Sequence, residues 1–254
     1  MSRELRLGRV LLLATGGVVG FLLLWEAVAR SGLLPPALVP PPSAIPAAVM
    51  GELGNGIWLR VVLQSLHHYL IGVAIGSLLG VAVGVAVGQS PVFEAAQAGL
   101  ARMLRPIPPL AWIPFALIWF GVSEAAAAFI ISISVFWLNY FATLSAVKQI
   151  DPGLVELARA FGHGGVLARL GKIVLPAAAP GIFGGLRAGF GQGWMVVVAS
   201  ELFGIPGIGQ RMMDASGLLA TQIVVVYMLT IALLYGLSDW LFQLTSRRFL
   251  AWAP

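Results

Sequence analysis

The sequence predicts an all-α, polytopic membrane protein with six transmembrane helices. Three observations carry that prediction. Residues of the AVILMFWYC set make up 59% of the 254 positions, only 10% are charged, and there are 31 glycines besides. Soluble chains are about 45–50% apolar with glycine included and about 25% charged, so water cannot be the solvent for most of this one. The apolar residues fall into runs long enough to cross a bilayer, and Lys and Arg concentrate in alternate connections. Disorder is excluded by the same hydrophobicity. With no cysteine in the chain, disulfide frameworks, thiol chemistry and Cys-ligated metals are excluded as well.

A helical span needs about 20 mostly apolar residues. The first expected span covers 10–30. Arg3, Arg6 and Arg9 before it and Ala27-Val28-Ala29 at its end resemble a signal peptide, but the run is long and Glu26 precedes the small residues, so it reads as an uncleaved span. The others are expected at 68–88, 107–121 (interrupted by proline), 125–146, 181–202 and 221–244. No stretch is polar enough for a separate soluble domain, so residues 1–254 are expected to form one membrane domain.

Charge placement sets the orientation. Arg3, Arg6, Arg9, Arg102, Arg105, Lys148, Arg159, Arg169, Lys172, Arg247 and Arg248, with Arg187 near the end of span five, fall on one side; Arg30, Arg60 and Arg211 fall on the other. Both termini are therefore expected in the cytoplasm. The net charge of +5 follows from topology and calls for no nucleic-acid partner.

Span two carries Gly72, Gly76, Gly80, Gly84 and Gly88, and span five carries Gly181, Gly185, Gly189 and Gly193. A four-residue step keeps each set on one stripe, where a second helix can approach closely. Such ridges serve dense packing, or sliding between helices that change their mutual angle. In the outer segment 31–66, Pro35, Pro36 and Pro40-Pro41-Pro42 favour extended chain. Ser43 is expected to cap a short helix over 44–53, ended by Gly54-Asn55-Gly56.

Catalytic signatures are missing. There is no Gly-x-Ser-x-Gly elbow and no His-Glu-x-x-His helix. His67 and His68 are adjacent, so their rings should diverge and a shared metal site is not expected. Gly171-Lys172 fails as a phosphate loop, because Val166 and Ile173 stand where glycine and Ser or Thr are needed. Neither a catalytic nor a metal site is assigned.

The segment 147–180 is the longest cytoplasmic connection. Asp151-Pro152 is a helix start, Gly162 a stop, and Gly164-Gly165 a turn before a second short helix from Val166 to Pro176. Two short helices joined at glycines form a knob suited to a partner's cleft.

Those residues resemble the EAA loop of binding-protein-dependent ABC importer permeases: Glu-Ala-Ala, three residues, Gly, nine residues, Ile-x-Leu-Pro. The chain matches at Glu156, Ala158, Gly162, Ile173, Leu175 and Pro176. Leu157 replaces the middle alanine, and ten residues separate Gly162 from Ile173. Leu104-Arg105-Pro106-Ile107-Pro108-Pro109-Leu110-Ala111-Trp112-Ile113-Pro114, the Val39 to Ile45 stretch and Ala199-Ser200-Glu201 are similar to the nitrate/sulfonate/taurine branch of that family. The resemblance extends over about 35–252.

It implies a type I ABC importer permease-like fold and a non-catalytic subunit of the bacterial inner membrane. It further implies a homodimer of two such permeases, two ABC ATPase subunits that bind ATP and Mg, and an extracytoplasmic substrate-binding protein. Glu156, Ala158, Phe161, Gly162, Ile173, Leu175 and Pro176 would couple to the ATPase. The implied cargo is a small anion such as a sulfonate, taurine or nitrate.

Pathway-lining candidates come from the residues themselves. Pro108, Pro109 and Trp112 lie where prolines break span three and free backbone carbonyls, and Asn139, Gln192, Trp194 and Glu201 are polar or amphipathic groups in or near spans four and five. Arg187 either snorkels toward the interface or puts a positive charge at the inner mouth. Glu26 and Asp239 read as interfacial. The alternatives are a secondary carrier or channel, which would need ionisable residues deep in its spans, and a membrane enzyme, which would need a nucleophile, base or metal cluster.

Overall fold

The computed structural model describes residues 3–33, 35, 37–161 and 165–250, with the backbone alone for 3–11, 155, 157–159, 166 and 167. All regular structure among them is helical: α1 (Arg3–Arg30), α2 (Ile45–Gly54), α3 (Ile57–Gly88), α4 (Pro91–Leu104), α5 (Ile113–Phe120), α6 (Glu124–Lys148), α7 (Pro152–Ala160), α8 (Val166–Arg169), α9 (Leu175–Glu201), α10 (Ile208–Gly217) and α11 (Thr221–Phe249). Five helices are long and apolar enough to cross a membrane. The broken pair Pro91–Leu104 and Pro109–Phe120, bent by 91°, makes a sixth if the pair is one span. Five of the six expected spans are thus long single helices and the expected span at 107–121 falls on the broken pair; α3 starts eleven residues earlier than its apolar run suggests, and the broken pair includes all of α4.

Contacts group the chain into two compact units, Met1–Arg60 with Arg211–Thr230, and Val61–Gln210 with Ile231–Pro254. In the second unit α6 is the central helix. The α3 ridge closes on it, as do Gly181, Gly185 and Gly189 of the α9 ridge, while Gly193 faces Val73 and Tyr69 of α3. A Cβ at Gly72 would lie 2.6 Å from Ile131, at Gly80 2.7 Å from the Phe136 carbonyl, and at Gly84 2.8 Å from Thr143. From α9, Gly181 and Gly185 meet Ala146 and Ala142 at 2.5 Å, and Gly189 meets the Asn139 amide at 3.0 Å. The ridges are therefore backbone-to-helix packing surfaces, and their four-residue step is what lets α3 and α9 touch α6 along several turns. Outside the ridges, Ile130, Ile131, Val135, Val197 and Ile205 are fully buried in the main apolar cluster.

Helix ends follow their residues. Ser90 accepts from the Phe93 N–H at 3.3 Å ahead of Pro91, and Ser123 does the same for Ala126. Gly121 stops α5 with a φ of 67°. Two expectations fail here. The second short helix does not end at Pro176: α8 passes into a π-helical turn, Leu170–Val174, and on into α9. The Leu175 N–H reaches back to Leu170 O, and this widened turn lets the ladder continue despite the missing N–H of Pro176.

The second failure lies in the first unit, where Ser43 does not cap α2. Residues Pro42–Ala44 form a 3-10 turn and Ala44 is the N-cap. The Ser43 N–H and hydroxyl bond to Glu26 at 3.1 and 2.8 Å, and Glu26 also pairs with Arg30. A neighbouring carboxylate has outcompeted the local cap. The α2 end does fall at Asn55, with Gly56 at φ 66°. Glu52, nearly fully buried, receives Arg211 at 2.5 and 3.2 Å and the Tyr227 hydroxyl at 2.6 Å. Trp58 Nε1 donates to Thr230 at 2.9 Å. Most apolar side chains described for α1, over residues 12–30, are exposed, such as Leu12, Phe21 and Leu24.

Candidate functional site

Two sites in the second unit bear on function. The first is a cavity of about 310 Å³, open at the surface of the unit, where the α4–α5 bend meets α6 and α9. Arg105, Ile107 and Pro109 line it from the bend, Ser134, Trp137 and Phe141 from α6, and Gln192 from α9. The bend exists because Pro106, Pro108 and Pro109 fix φ and remove backbone donors within four residues. Pro108 is extended (φ −66°, ψ 146°) and starts a 3-10 turn, Pro109–Trp112, before α5. The Arg105 guanidinium lies over the Phe141 ring, 4.5 Å from its centroid.

Of the pathway candidates, Pro109 and Gln192 line this cavity, Pro108 is exposed beside it, and Trp112 is half-buried. The rest are packed inside the unit. Asn139 is fully buried between the glycine ridges and donates from Nδ2 to Ser77 at 2.9 Å. Trp194 stacks on Tyr69, centroids 4.2 Å apart, and donates to Ser238 at 3.1 Å. Glu201 is fully buried. It accepts from Ser65 at 2.8 Å and from the Gly209 N–H at 2.9 Å, and its Oε1 is 2.8 Å from His68 Nδ1. Ser65 also accepts from the Ile208 N–H at 2.8 Å. This buried carboxylate ties α3, α9 and α10 together, and a side chain at Gly207 or Gly209 would collide with it.

His67 behaves differently from its neighbour. It is half-exposed and sits 3.3 Å from Glu124. One ligand atom each from His67, His68 and Glu124 falls within 4.8 Å of the others, so the adjacent rings converge more than helix geometry suggested. Asp239, read as interfacial, instead holds Arg187 through two bonds of 2.7 and 3.0 Å, so Arg187 is not a lone snorkelling cation.

The second site is the knob formed by α7 and α8. Pro152 opens α7 and the Asp151 carboxylate accepts from the Gly153 N–H at 2.8 Å. Glu156 and Phe161 project to the surface, Phe161 with 74% of its area exposed. Ile173 and Pro176 are half-buried and Leu175 is exposed. Glu156 and Arg169 border a groove of about 350 Å³ that Gly88, Gln89, Val147, Pro152 and Val174 also line. Gly162 lies outside the described residues, as does the side chain of Ala158.

Residues 72–251 match the model of the binding-protein-dependent transport system inner membrane component family. The chain belongs to that family. It is 35% identical to the putative aliphatic sulfonates transport permease protein SsuC of Escherichia coli strain K12, covering 93% of this chain and 90% of the relative. It is 30% identical to the taurine transport system permease protein TauC of the same strain, over 99% and 94%. The bicarbonate transport system permease protein CmpB of Synechocystis sp. strain PCC 6803 is 32% identical, over 78% and 74%. In fold, the permease is similar to a chain of the MetNI methionine ABC transporter in an inward-facing conformation, with a TM-score of 0.62, 22% identity, and coverage of 76% and 94%. The protein is thus a permease subunit of an ABC importer, a multi-pass component of the inner membrane.

Proposed function

We propose that the permease forms, with a second copy of itself, the translocation pathway for a small oxyanion of the sulfonate, taurine or bicarbonate class. Two ATPase subunits dock on the α7–α8 knob from the cytoplasm, and an extracytoplasmic binding protein delivers the anion to the outer face. Both termini lie in the cytoplasm in this arrangement, and hydrolysis occurs in the ATPase with its ATP and Mg. Glu156, Phe161 and Gly162 make the docking contact.

The observation that carries this reading is the continuity of α8, the π turn and α9. The knob's second helix is the cytoplasmic end of the span whose Gln192 lines the cavity. A push on the knob therefore reaches the cavity wall through one helix, about 35 Å from Arg169 to Gln192 at 1.5 Å per residue. The names of the sulfonate, taurine and bicarbonate relatives support the anion class.

The test is uptake into proteoliposomes holding permease, ATPase and binding protein, with radiolabelled taurine, ethanesulfonate, nitrate and bicarbonate offered separately. ATP-dependent, binding-protein-dependent accumulation of one of these is expected. Uptake driven by an ion gradient without ATP would establish a secondary carrier instead.

A further inference from the structure

Arg105 lines the cavity of the α4–α5 bend, whereas Arg60, Arg102, Arg247 and Arg248, which also hold no carboxylate among the described residues, do not. Arg30, Arg187 and Arg211 each hold a carboxylate, Glu26, Asp239 and Glu52. Among the described residues Arg105 has no carboxylate within 4.0 Å, and its guanidinium lies against the Phe141 ring instead. Its charge pattern in sequence suggested an inner loop, but its depth differs. Phe141 is seven residues before the cytoplasmic end of α6, about 10 Å inside at helical rise, and Ser134 in the same cavity wall is about 20 Å inside. An uncompensated cation at that depth is costly and is retained where it meets water or an anion.

We infer that Arg105, with Ser134 and Gln192, forms an anion-recognition site within the translocation pathway, taking the sulfonate or comparable oxyanion group of the cargo. The inference rests on the oxyanion-importer reading and names the residues that would select the charge. A planar guanidinium offers parallel donors to two oxygens of one oxyanion. Ser134 and Gln192 bring a hydroxyl and an amide to the same walls, and Ile107, Ile133, Leu138, Trp137 and Phe141 give the apolar remainder. The volume of about 310 Å³ suits a small solute. One cation in an open cavity also gives the weak hold that transit requires, since a tightly bound anion would not leave.

The chain has no cysteine, so Leu138→Cys places a single thiol in the cavity wall of the assembled permease–ATPase complex. Its reaction rate is compared for an anionic sulfonatoethyl and a cationic trimethylammonioethyl methanethiosulfonate, each relative to a free thiol. A preference for the anionic reagent of about tenfold is expected, from local concentration by the cationic cavity. Arg105→Gln should remove most of it, Arg105→Lys should keep it, and Arg102→Gln should leave it alone. Ethanesulfonate should slow the reaction. A preference that survives Arg105→Gln overturns the assignment, and protection by phosphatidylglycerol but not ethanesulfonate overturns it in favour of a lipid headgroup. If the preference is lost in Arg105→Gln while ATP-driven anion uptake persists at the native rate, the site is not in the pathway and only this inference falls. If the native complex shows the preference but imports no anion, the importer reading falls and takes the site's pathway role with it.

Discussion

At the scale of single residues, space at glycines and charge at buried carboxylates decide most. Gly80 sits 2.7 Å (for an added Cβ) from the Phe136 carbonyl and 2.9 Å from Asn139, and backbone cannot move aside as a flexible side chain can. Gly80→Leu should therefore lower stability by about 3 kcal/mol or prevent assembly of the bundle, whereas Gly99→Ala, with open space around it, should be neutral. Thermal unfolding in detergent reads both. The ridge itself was legible in sequence because one residue type repeats every fourth position; its partner, α6, was not, because Val135, Asn139, Thr143 and Val147 keep the same four-residue step with mixed residue types that no repeat of one letter announces. The Glu52 cluster was illegible for another reason. Its partners Arg211 and Tyr227 are far away in sequence, and no local pattern announces such a meeting. Burial pushes the Glu52 carboxyl up, but Arg211 and the Tyr227 hydroxyl together hold it below its ordinary value of 4.5. A depressed carboxyl contributes stability that is fully present above that ordinary value and is lost as pH falls through the lowered one. Unfolding temperature should be level above about pH 5 in this respect and decline below it. Glu52→Gln should flatten the decline and cost about 3 kcal/mol at neutral pH by leaving Arg211 unpaired; an unchanged pH profile in that variant would remove Glu52 from the account.

At the scale of elements, the proline-rich stretch and the knob behave in opposite ways. Pro106, Pro108 and Pro109 were legible as a break but not as a 91° bend, since proline fixes φ locally while the angle depends on what α6 offers the chain after the break. Pro176 predicted a stop and produced none, because a π turn upstream absorbs its lost donor. That continuity has a consequence. If α8 and α9 move as one rod, inserting two glycines between Arg169 and Leu170 should leave ATPase docking intact and uncouple uptake from hydrolysis. Normal transport stoichiometry in the insertion variant would show that the knob does not drive α9. The buried Glu201 network illustrates the limit of reading polarity as pathway. Polar residues in a span face inward, but inward here is toward Ser65, His68 and the α10 backbone.

At the scale of the whole molecule, composition and charge placement carried the fold class and the number of crossings, because lipid imposes length and hydropathy on every span. Sidedness is checked by cysteines at 165 and 218, both exposed. The account expects the first to be labelled from the cytoplasm and the second from outside; labelling of both from one side would refute the topology.

Engagement of an ATPase by the α7–α8 knob is measured by co-purification. The permease is expressed with the ATPase encoded beside it, captured in mild detergent, and compared with a Glu156→Ala/Phe161→Ala variant that inserts normally. The account predicts two ATPases for each permease pair with the native chain and at least a tenfold loss in the variant, about 1.4 kcal/mol or more at the interface. Equal capture by both forms, or no capture by either, would contradict it.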